Sequence, residues 1–183
     1  MTTESSPLFS PLDIGSLTLP GRLFKTATAE TRATADGMAT QAVIDFYTLI
    51  ARGETPLIIT GNIYVSRDGK SAPAQLGADH DDKIPGLAAV VAAVHAHGGK
   101  FFAQLNHCGR QVIPRFAQSP VAYSASAVKD LLTGTRPQAL SIPDIQRLVG
   151  CYADAAERCA RAGFDGGELC LLCGKEVLGR CTD

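Results

Sequence analysis

The sequence predicts an α/β fold in which a small N-terminal hairpin precedes about four parallel β/α units. Apolar segments of strand length alternate along the chain with amphipathic segments of helical period. This order indicates a parallel sheet with right-handed crossovers. The second apolar segment, Leu57–Gly61, does not alternate with polar residues, as expected for a strand that is covered on both faces.

The first half of the chain predicts the hairpin, two strands and one helix. Two short alternating runs within Leu8–Leu19 flank a Gly-Ser pair, which indicates a hairpin turn. Arg22–Thr28 is the first predicted strand and Leu57–Gly61 the second. Between them, Thr40 is a candidate N-cap for a helix that runs to about Arg52. The residues expected on the buried face of this helix are Val43, Tyr47 and Ile50.

The second half predicts two helices and two strands. A helix over Asp82–His97 leads into the third strand, Lys100–Leu105, and a long loop follows to Leu140. Ser141 begins the last helix, and the fourth strand covers Gly167–Leu172. The second helix should bury Leu87, Val90, Val91 and Val94. The last helix has a capping-box start at Ser141 and Asp144, a natural end at Gly163, and a predicted apolar face of Ile145, Leu148, Val149, Tyr152, Ala156 and Cys159.

Composition limits the possible classes of function. The chain has 183 residues and a net charge of −1, without a basic run of the kind that nucleic-acid or membrane-surface binding requires. No apolar segment approaches the length of a membrane span. We therefore expect one cytoplasmic domain over residues 1–183, with residues 1–6 as a mobile leader. The six cysteines do not form a disulfide pattern, and we expect reduced thiols.

Polar side chains cluster where the third predicted strand ends. The segment Lys100–Gln111 reads KFFAQLNHCGRQ, so an apolar strand ends in Gln104 and is followed by His107 and Arg110. Ligands of α/β folds bind at the carboxyl ends of parallel strands. Taken alone, the pattern also fits a strand followed by a polar surface loop.

Several ordered segments resemble the old yellow enzyme family of FMN-dependent NADH:flavin oxidoreductases. They are LFSPLDIGSLTLPGRLFKTA, LIITGNIYVSRDGK, FAQLNHCGRQ, FAQSPVAYSAS and AARAGFDGGEL. The third is similar to the family pattern QLxHxGR, and the fifth to AxxAGFDGVEIH. Together the matches cover about Pro7 to Glu168. The resemblance implies an incomplete (β/α)8 TIM barrel that comprises the hairpin and about four β/α units.

The resemblance also implies a cofactor site. Members of the family bind FMN at the carboxyl ends of the strands and use NAD(P)H to reduce activated alkenes such as enones. By position, Thr26, Ala27 and Thr28 would line the flavin from the first strand, and Asn62 would lie at the end of the second. Gln104 would bond the pyrimidine edge of the ring, since an amide both donates and accepts hydrogen bonds. His107 and Arg110 are expected to hold the long loop in place.

The sequence departs from the family at the substrate site. Cys170 and Cys173 occupy the positions of the two histidines that hold the substrate carbonyl in the family. A thiol is a weak donor, so we expect impaired catalysis or none. The match ends after Gly174, residues 175–183 resemble nothing in the family, and truncation is the expected explanation.

Two alternative functions remain open at this stage. The chain could be a non-catalytic half-barrel that pairs with another chain through its open sheet edges. Alternatively, Cys170 and Cys173 could form a metal or redox centre with Cys181. One Cys-x-x-Cys pair without a second is a weak metal signal, because a structural zinc site needs four ligands.

Overall fold

The computed structural model describes residues 6–117 and 119–170. The expected leader, except for its last residue, and the expected tail lie outside this part of the chain. The strands are β1 (Leu12–Ile14), β2 (Leu17–Leu19), β3 (Phe24–Lys25), β4 (Leu57–Tyr64), β5 (Lys100–Asn106), β6 (Tyr123–Ser124), β7 (Gln138–Ala139) and β8 (Gly166–Leu169). The helices are α1 (Gln41–Ala51), α2 (Ile84–His95), α3 (Pro114–Ala117) and α4 (Ile142–Ala162).

A parallel sheet with the order β3-β4-β5-β8 forms the centre of the described fold. Each strand of this sheet follows the previous one along the chain and pairs beside it in parallel. α1, α2 and α4 precede β4, β5 and β8 respectively, and α2 packs between the other two. The predicted hairpin is confirmed as the antiparallel pair β1-β2. These pairings confirm the predicted hairpin and parallel β/α units.

The two faces of the sheet bury different residues. The helix face carries Ile58, Phe101 and Ala103, which pack with the buried sides of α1, α2 and α4 in the largest apolar cluster. The opposite face, called the site face below, carries Ile59 and Phe102, against which the hairpin packs with Leu19. One face is thus a sheet–helix core, and the other is a floor that the hairpin covers in part.

The predicted helix ends are confirmed at three positions. The Thr40 side chain accepts from the amide of Val43 at the start of α1. Ser141 and Asp144 form a complete capping box at the start of α4. Gly163 ends α4 with φ 95°, in the left-handed region that glycine adopts without steric cost. None of the described helices is long and apolar enough to span a membrane.

The strand predictions were less accurate. The first strand was predicted over Arg22–Thr28, but only Phe24 and Lys25 pair with β4. The chain then leaves the sheet edge, where Lys25 Nζ donates to the carbonyls of Thr26 and Ile59 at 2.9 and 3.2 Å. β4 is longer than predicted and reaches Tyr64. The predicted loop 106–140 contains α3 and the short parallel pair β6-β7.

The helix faces were predicted with mixed success. All four inward residues predicted for α2 are buried, although the α-helix begins at Ile84 after a 3-10 turn over Asp81–Lys83. In α4 the prediction was wrong for Val149 and Ala156, which are exposed. The buried positions are Leu148, Ala155, Cys159 and Ala162. Ala155 and Ala162 pack in the largest apolar cluster, and their small side chains gave little periodic signal.

Asp165 joins the amino-terminal ends of β5 and β8. Its carboxylate accepts from the amide of Phe101 at 2.9 Å, from Lys100 Nζ at 2.9 Å and from His95 Nε2 at 2.7 Å. Burial opposes ionisation, but these three bonds outweigh it and lower the pKa of Asp165. The backbone of Asp165 also donates to the Phe101 carbonyl at 2.9 Å. This residue therefore sets the register between the two strands.

We expect Asp165→Asn to lower the free energy of unfolding at pH 7 by about 2 kcal/mol, because a charge-assisted network loses its acceptor. The folded pKa lies below the ordinary value, so this stabilisation is complete above about pH 4 and is lost as pH falls through the folded pKa. Urea denaturation at pH 7 and at about pH 3 measures both effects. Asp154→Asn, an exposed position on α4, is the control. An equal loss in both variants, or a loss independent of pH, would contradict this role.

Candidate functional site

Three polar residues form a row across the carboxyl-terminal half of the sheet. Asn62 in β4 is the register partner of Gln104 in β5, and Gln104 is the partner of Glu168 in β8. Register partners in neighbouring parallel strands project from the same face of a sheet. The row Asn62–Gln104–Glu168 therefore lies on the site face, one step beyond the apolar pair Ile59 and Phe102.

A β-bulge in β4 brings Asn62 into this row. Ile59 pairs with Phe102 and Asn62 pairs with Gln104, so β4 advances by three residues where β5 advances by two. Without the extra residue, alternation would turn Asn62 toward the helices. The bulge also places Thr60 Oγ1 beside β5, where it accepts a hydrogen bond from the backbone amide of Gln104 at 2.9 Å.

The bulge is held by a buried network on the helix face. The Gly61 amide donates to the Tyr47 hydroxyl at 2.7 Å, and this hydroxyl donates to Glu30 Oε2 at 3.1 Å. A Cβ at position 61 would collide with the Glu30 carboxylate and come within 2.8 Å of the Thr28 carbonyl. Position 61 therefore requires glycine, because the Glu30 carboxylate and the Thr28 carbonyl lie too close for a Cβ. Burial raises the pKa of both Glu30 and Tyr47.

The Gln104 side chain retains hydrogen-bonding capacity after its contacts in the protein are made. Its Nε2 donates to Glu168 Oε2 at 3.3 Å. Among residues 6–117 and 119–170, no group donates to Gln104 Oε1. The amide therefore offers one acceptor and one further N–H, which suits a ligand edge that carries a donor beside an acceptor.

The predicted flavin-lining segment lies beside this row but outside the strand. Thr26 and Thr28 are exposed after the end of β3, and Thr28 Oγ1 donates to the Thr26 carbonyl at 3.4 Å. Ala27 packs against the apolar cluster of the site face. The structure thus brings Asn62 and Gln104 together directly, and it places Thr26–Thr28 at the neighbouring sheet edge.

An apolar floor lies next to the row. A cavity of about 290 Å³ is lined by residues of the hairpin, of the segment that follows it and of the sheet: Leu12, Ile14, Leu19, Arg22, Phe24, Leu57, Ile59, Phe102, Gly167 and Glu168. A larger cavity of about 720 Å³ opens at the other end of the strands, between Leu8 and Gly99. The smaller one reaches Glu168, one of the three residues of the row.

Cys170 follows β8 at the position that the family resemblance assigned to substrate binding. Its amide donates to the Leu105 carbonyl at 3.0 Å, so the pairing of β8 with β5 extends to this residue. Alternation places Cys170 on the same face as Glu168, and the residue is half-buried. Cys173 lies outside the described residues, so its predicted role stays a prediction.

Asp68 connects the loop after β4 to its neighbours. Its carboxylate accepts from Arg147 of α4 at 2.8 Å and from the Ser66 hydroxyl, and it lies 3.6 Å from His107 Nε2. The Gly109 amide donates to His107 Nδ1 at 3.1 Å, which leaves the ring proton on Nε2, toward Asp68. Burial opposes ionisation, but these polar partners outweigh it and hold the pKa of Asp68 well below its ordinary value. His107 is fully buried and supports the loop, in the role expected of it.

Two cations near the carboxyl ends of the strands are already engaged. Arg110 Nε lies 3.7 Å from the buried Asp130 carboxylate. Lys70 is buried, and its Nζ donates to the carbonyls of Ala35 and Pro73, the latter at 2.9 Å. Desolvation lowers the pKa of Lys70. These side chains stabilise the loops and are poorly placed to hold a ligand phosphate.

The described residues contain no group of three or more potential metal ligands among His, Cys, Asp and Glu. The four cysteines within them, Cys108, Cys151, Cys159 and Cys170, are free thiols. The predicted alternative centre at Cys170, Cys173 and Cys181 falls largely outside the described part of the chain.

Sequence reasoning missed Glu30, Thr60, Asp68 and Glu168 as parts of the site. Glu168 carried a usable signal, because it lies two residues before Cys170 in a predicted strand and so faces the same way. Glu30 and Thr60 carried none, since their contacts depend on a bulge that period alone does not reveal.

The fold is that of an α/β protein with a parallel sheet, and the row of polar residues at the carboxyl ends of its strands is a candidate ligand site. Residues 7–170 match the model of the NADH:flavin oxidoreductase / NADH oxidase family. The chain therefore belongs to this family.

Curated relatives and solved structures agree with the family model. An NADH oxidase of Thermoanaerobacter brockii is 37% identical over 168 residues, which are 91% of this chain and 26% of that protein. The multifunctional alkene reductase/demethylase OYE of Caballeronia cordobensis is 30% identical over 192 residues, covering 100% of this chain and 27% of that protein. Morphinone reductase superposes with a TM-score of 0.80 at 31% identity, over 92% of this chain and 49% of its own. The chain thus spans about a quarter of these two relatives and about half of the solved barrel, and its sheet is a partial TIM barrel of the old yellow enzyme type.

We expect Tyr47→Phe to destabilise the fold by about 1–3 kcal/mol, because the buried Gly61 amide loses its acceptor and Glu30 loses its donor. The variant should also shift the amide resonances of Gly61 and Asn62 in ¹⁵N spectra, since the bulge loses its support. Urea denaturation and two-dimensional NMR measure the two effects. Tyr123→Phe in β6 is the control. Unchanged resonances at Gly61 and Asn62 would mean that the bulge does not depend on Tyr47.

Proposed function

We propose that the chain carries the flavin-ring side of the active site of an FMN-dependent NAD(P)H oxidoreductase, which reduces activated alkenes such as enones in the cytoplasm. The observation that carries the proposal is the pairing of Asn62 with Gln104, next to an apolar floor, at the carboxyl ends of β4 and β5. Family membership supports the cofactor class, and the name of the alkene reductase relative supports the class of substrate.

The described residues fit the ring of FMN. Its pyrimidine edge presents an imide N–H between two carbonyls, and Gln104 offers an acceptor and an N–H on one amide. Ile59 and Phe102 provide apolar surface for the aromatic part of the ring system. Thr26 and Thr28 are exposed at the adjoining edge, where the Thr26 hydroxyl can donate to a ring atom. When bound, the flavin supplies hydride transfer from NADH or NADPH to the β-carbon of the alkene.

Cys170 limits the catalysis that this site can support. The residue shares a face with Glu168 and would lie toward a substrate that stacks on the flavin. A strong donor to the substrate carbonyl stabilises the negative charge that develops on its oxygen during hydride transfer. Because a thiol donates weakly, Cys170 should stabilise that charge poorly. We therefore expect slow turnover at this site, with ring binding as the more robust activity.

The isolated chain of 183 residues should bind FMN with a dissociation constant above about 1 μM. The reason is that Arg110 and Lys70 are engaged with other groups, so the phosphate gains little from them. Riboflavin, which lacks the phosphate, should accordingly bind within roughly threefold of FMN. Gln104→Ala should weaken both about tenfold, because a hydrogen-bonding amide is lost. Quenching of flavin fluorescence measures all three quantities.

The control for this titration is Gln146→Ala, which removes an exposed amide on α4. Submicromolar FMN binding with a strong preference over riboflavin would contradict the weak phosphate site. Equal binding by the wild type and Gln104→Ala would contradict the assignment of the ring site to Gln104.

A second candidate function is pairing with a second copy of this chain through the sheet edges. In the described part of the chain, β3 pairs only with β4, and β8 only with β5. Phe24 on one edge is 51% exposed, and Leu169 on the other is 56% exposed. Open edges with exposed apolar side chains favour pairing between chains. The open edges and their exposed apolar side chains therefore support pairing of two half-barrels, which we propose as the second function.

We expect the isolated chain to sediment as a species larger than the monomer at high micromolar concentration. Leu169→Lys should move the distribution toward the monomer, since a charge on an edge strand opposes pairing. Analytical ultracentrifugation over a concentration series is the measurement. Leu49→Lys changes a leucine on α1 that is 69% exposed and serves as the control. A wild-type chain that is monomeric throughout would refute the candidate.

A further inference from the structure

Glu168 is the hydrogen-bond partner of the Gln104 side chain within residues 6–117 and 119–170. The contact runs from Gln104 Nε2 to Glu168 Oε2 at 3.3 Å. Thr60 accepts a hydrogen bond from the backbone amide of Gln104, not from the Gln104 side chain. Glu168 reaches this position because β5 and β8 place Gln104 and Glu168 in register.

The chemistry of this contact fixes which end of the Gln104 amide points where. An ionised carboxylate accepts hydrogen bonds but donates none, so it can bond the Nε2 end of the amide and repels the Oε1 end. A rotation of the amide by half a turn would set two oxygens against each other. With Glu168 present, the orientation with Nε2 toward β8 is therefore the stable one.

We propose that Glu168 is a positioning residue that locks the Gln104 amide, so that Oε1 stays available to an imide N–H of the ligand. This inference rests on the proposed function and deepens it, because it names the residue that makes the ring site selective for an imide edge. A ligand whose imide nitrogen is methylated loses the donor that Oε1 would accept. It also brings a methyl group toward that oxygen.

The locking of the amide can be tested in the chain without any flavin. In ¹⁵N spectra, one Gln104 side-chain proton should lie downfield in the wild type, because it is bonded to a carboxylate. In Glu168→Gln, which keeps the shape of the side chain, that proton should move upfield, because a neutral amide oxygen is a weaker acceptor than a carboxylate and bonds Nε2 in only one of the two orientations of Gln104. Glu157→Gln removes the same charge from an exposed site on α4 and should leave the Gln104 signals unchanged.

The consequence for ligand selection is tested with FMN and 3-methyl-FMN. The wild type should prefer FMN by about tenfold, the value of one well-placed hydrogen bond. Glu168→Gln should reduce this preference to about twofold, since its amide can support either orientation of Gln104. Glu157→Gln should retain the wild-type preference. A residue with a purely structural role would weaken both flavins equally.

Each outcome decides a separate claim. Gln104 side-chain signals that are identical in the wild type and Glu168→Gln would overturn the proposal. Signals that shift while the preference for FMN over 3-methyl-FMN stays the same in both chains would also overturn it. If neither flavin binds to any variant, the proposed function fails, and the spectra alone still decide whether Glu168 locks Gln104.

Discussion

One extra residue in β4 determines which side chains reach the candidate site. Strand alternation alone would direct Asn62 toward the helices, and the bulge at Thr60 and Gly61 returns it to the face that carries Gln104. The backbone group freed by the bulge is satisfied by Tyr47, whose hydroxyl bonds Glu30 in turn. Without this network the bulge would bury an unpaired amide, which costs about 1–3 kcal/mol. The site therefore depends on a buried tyrosine of α1 that no ligand touches.

Carboxylates hold both ends of the sheet in place. At the amino-terminal end, Asp165 joins β5 to β8 through bonds to Phe101 and Lys100. At the other end, Asp68 joins the loop after β4 to α4 through Arg147. In both cases the bonds to the ionised form outweigh burial, and the pKa of the carboxyl group is lowered. Because strands β5 and β8 are fixed at their starts, the register that brings Gln104 beside Glu168 follows at their ends.

The sequence predicted the parts of the fold that depend on local rules. The hairpin, the helix caps at Thr40 and Ser141 and the left-handed end at Gly163 all follow from short-range chemistry, and each is confirmed. The predictions failed where tertiary contacts decide. The first strand was predicted to continue through Thr26, Ala27 and Thr28, but the chain leaves the sheet after Lys25. Val149 fitted the helical period of the predicted apolar face, but α4 packs with a different face inward and leaves Val149 exposed.

The candidate site was predictable to the extent that alternation and motif spacing describe it. Gln104 was assigned to the flavin ring through the family resemblance, since its place at the end of a strand also fitted a polar surface loop, whereas Glu168 was given no role. The cross-strand register shows why Glu168 belongs to the site. A carboxylate beside an amide restricts the amide to one orientation, and an amide without such a partner would present either end. Selectivity for an imide edge therefore depends on β8 as well as on β5, and neither strand alone contains the information needed to predict it.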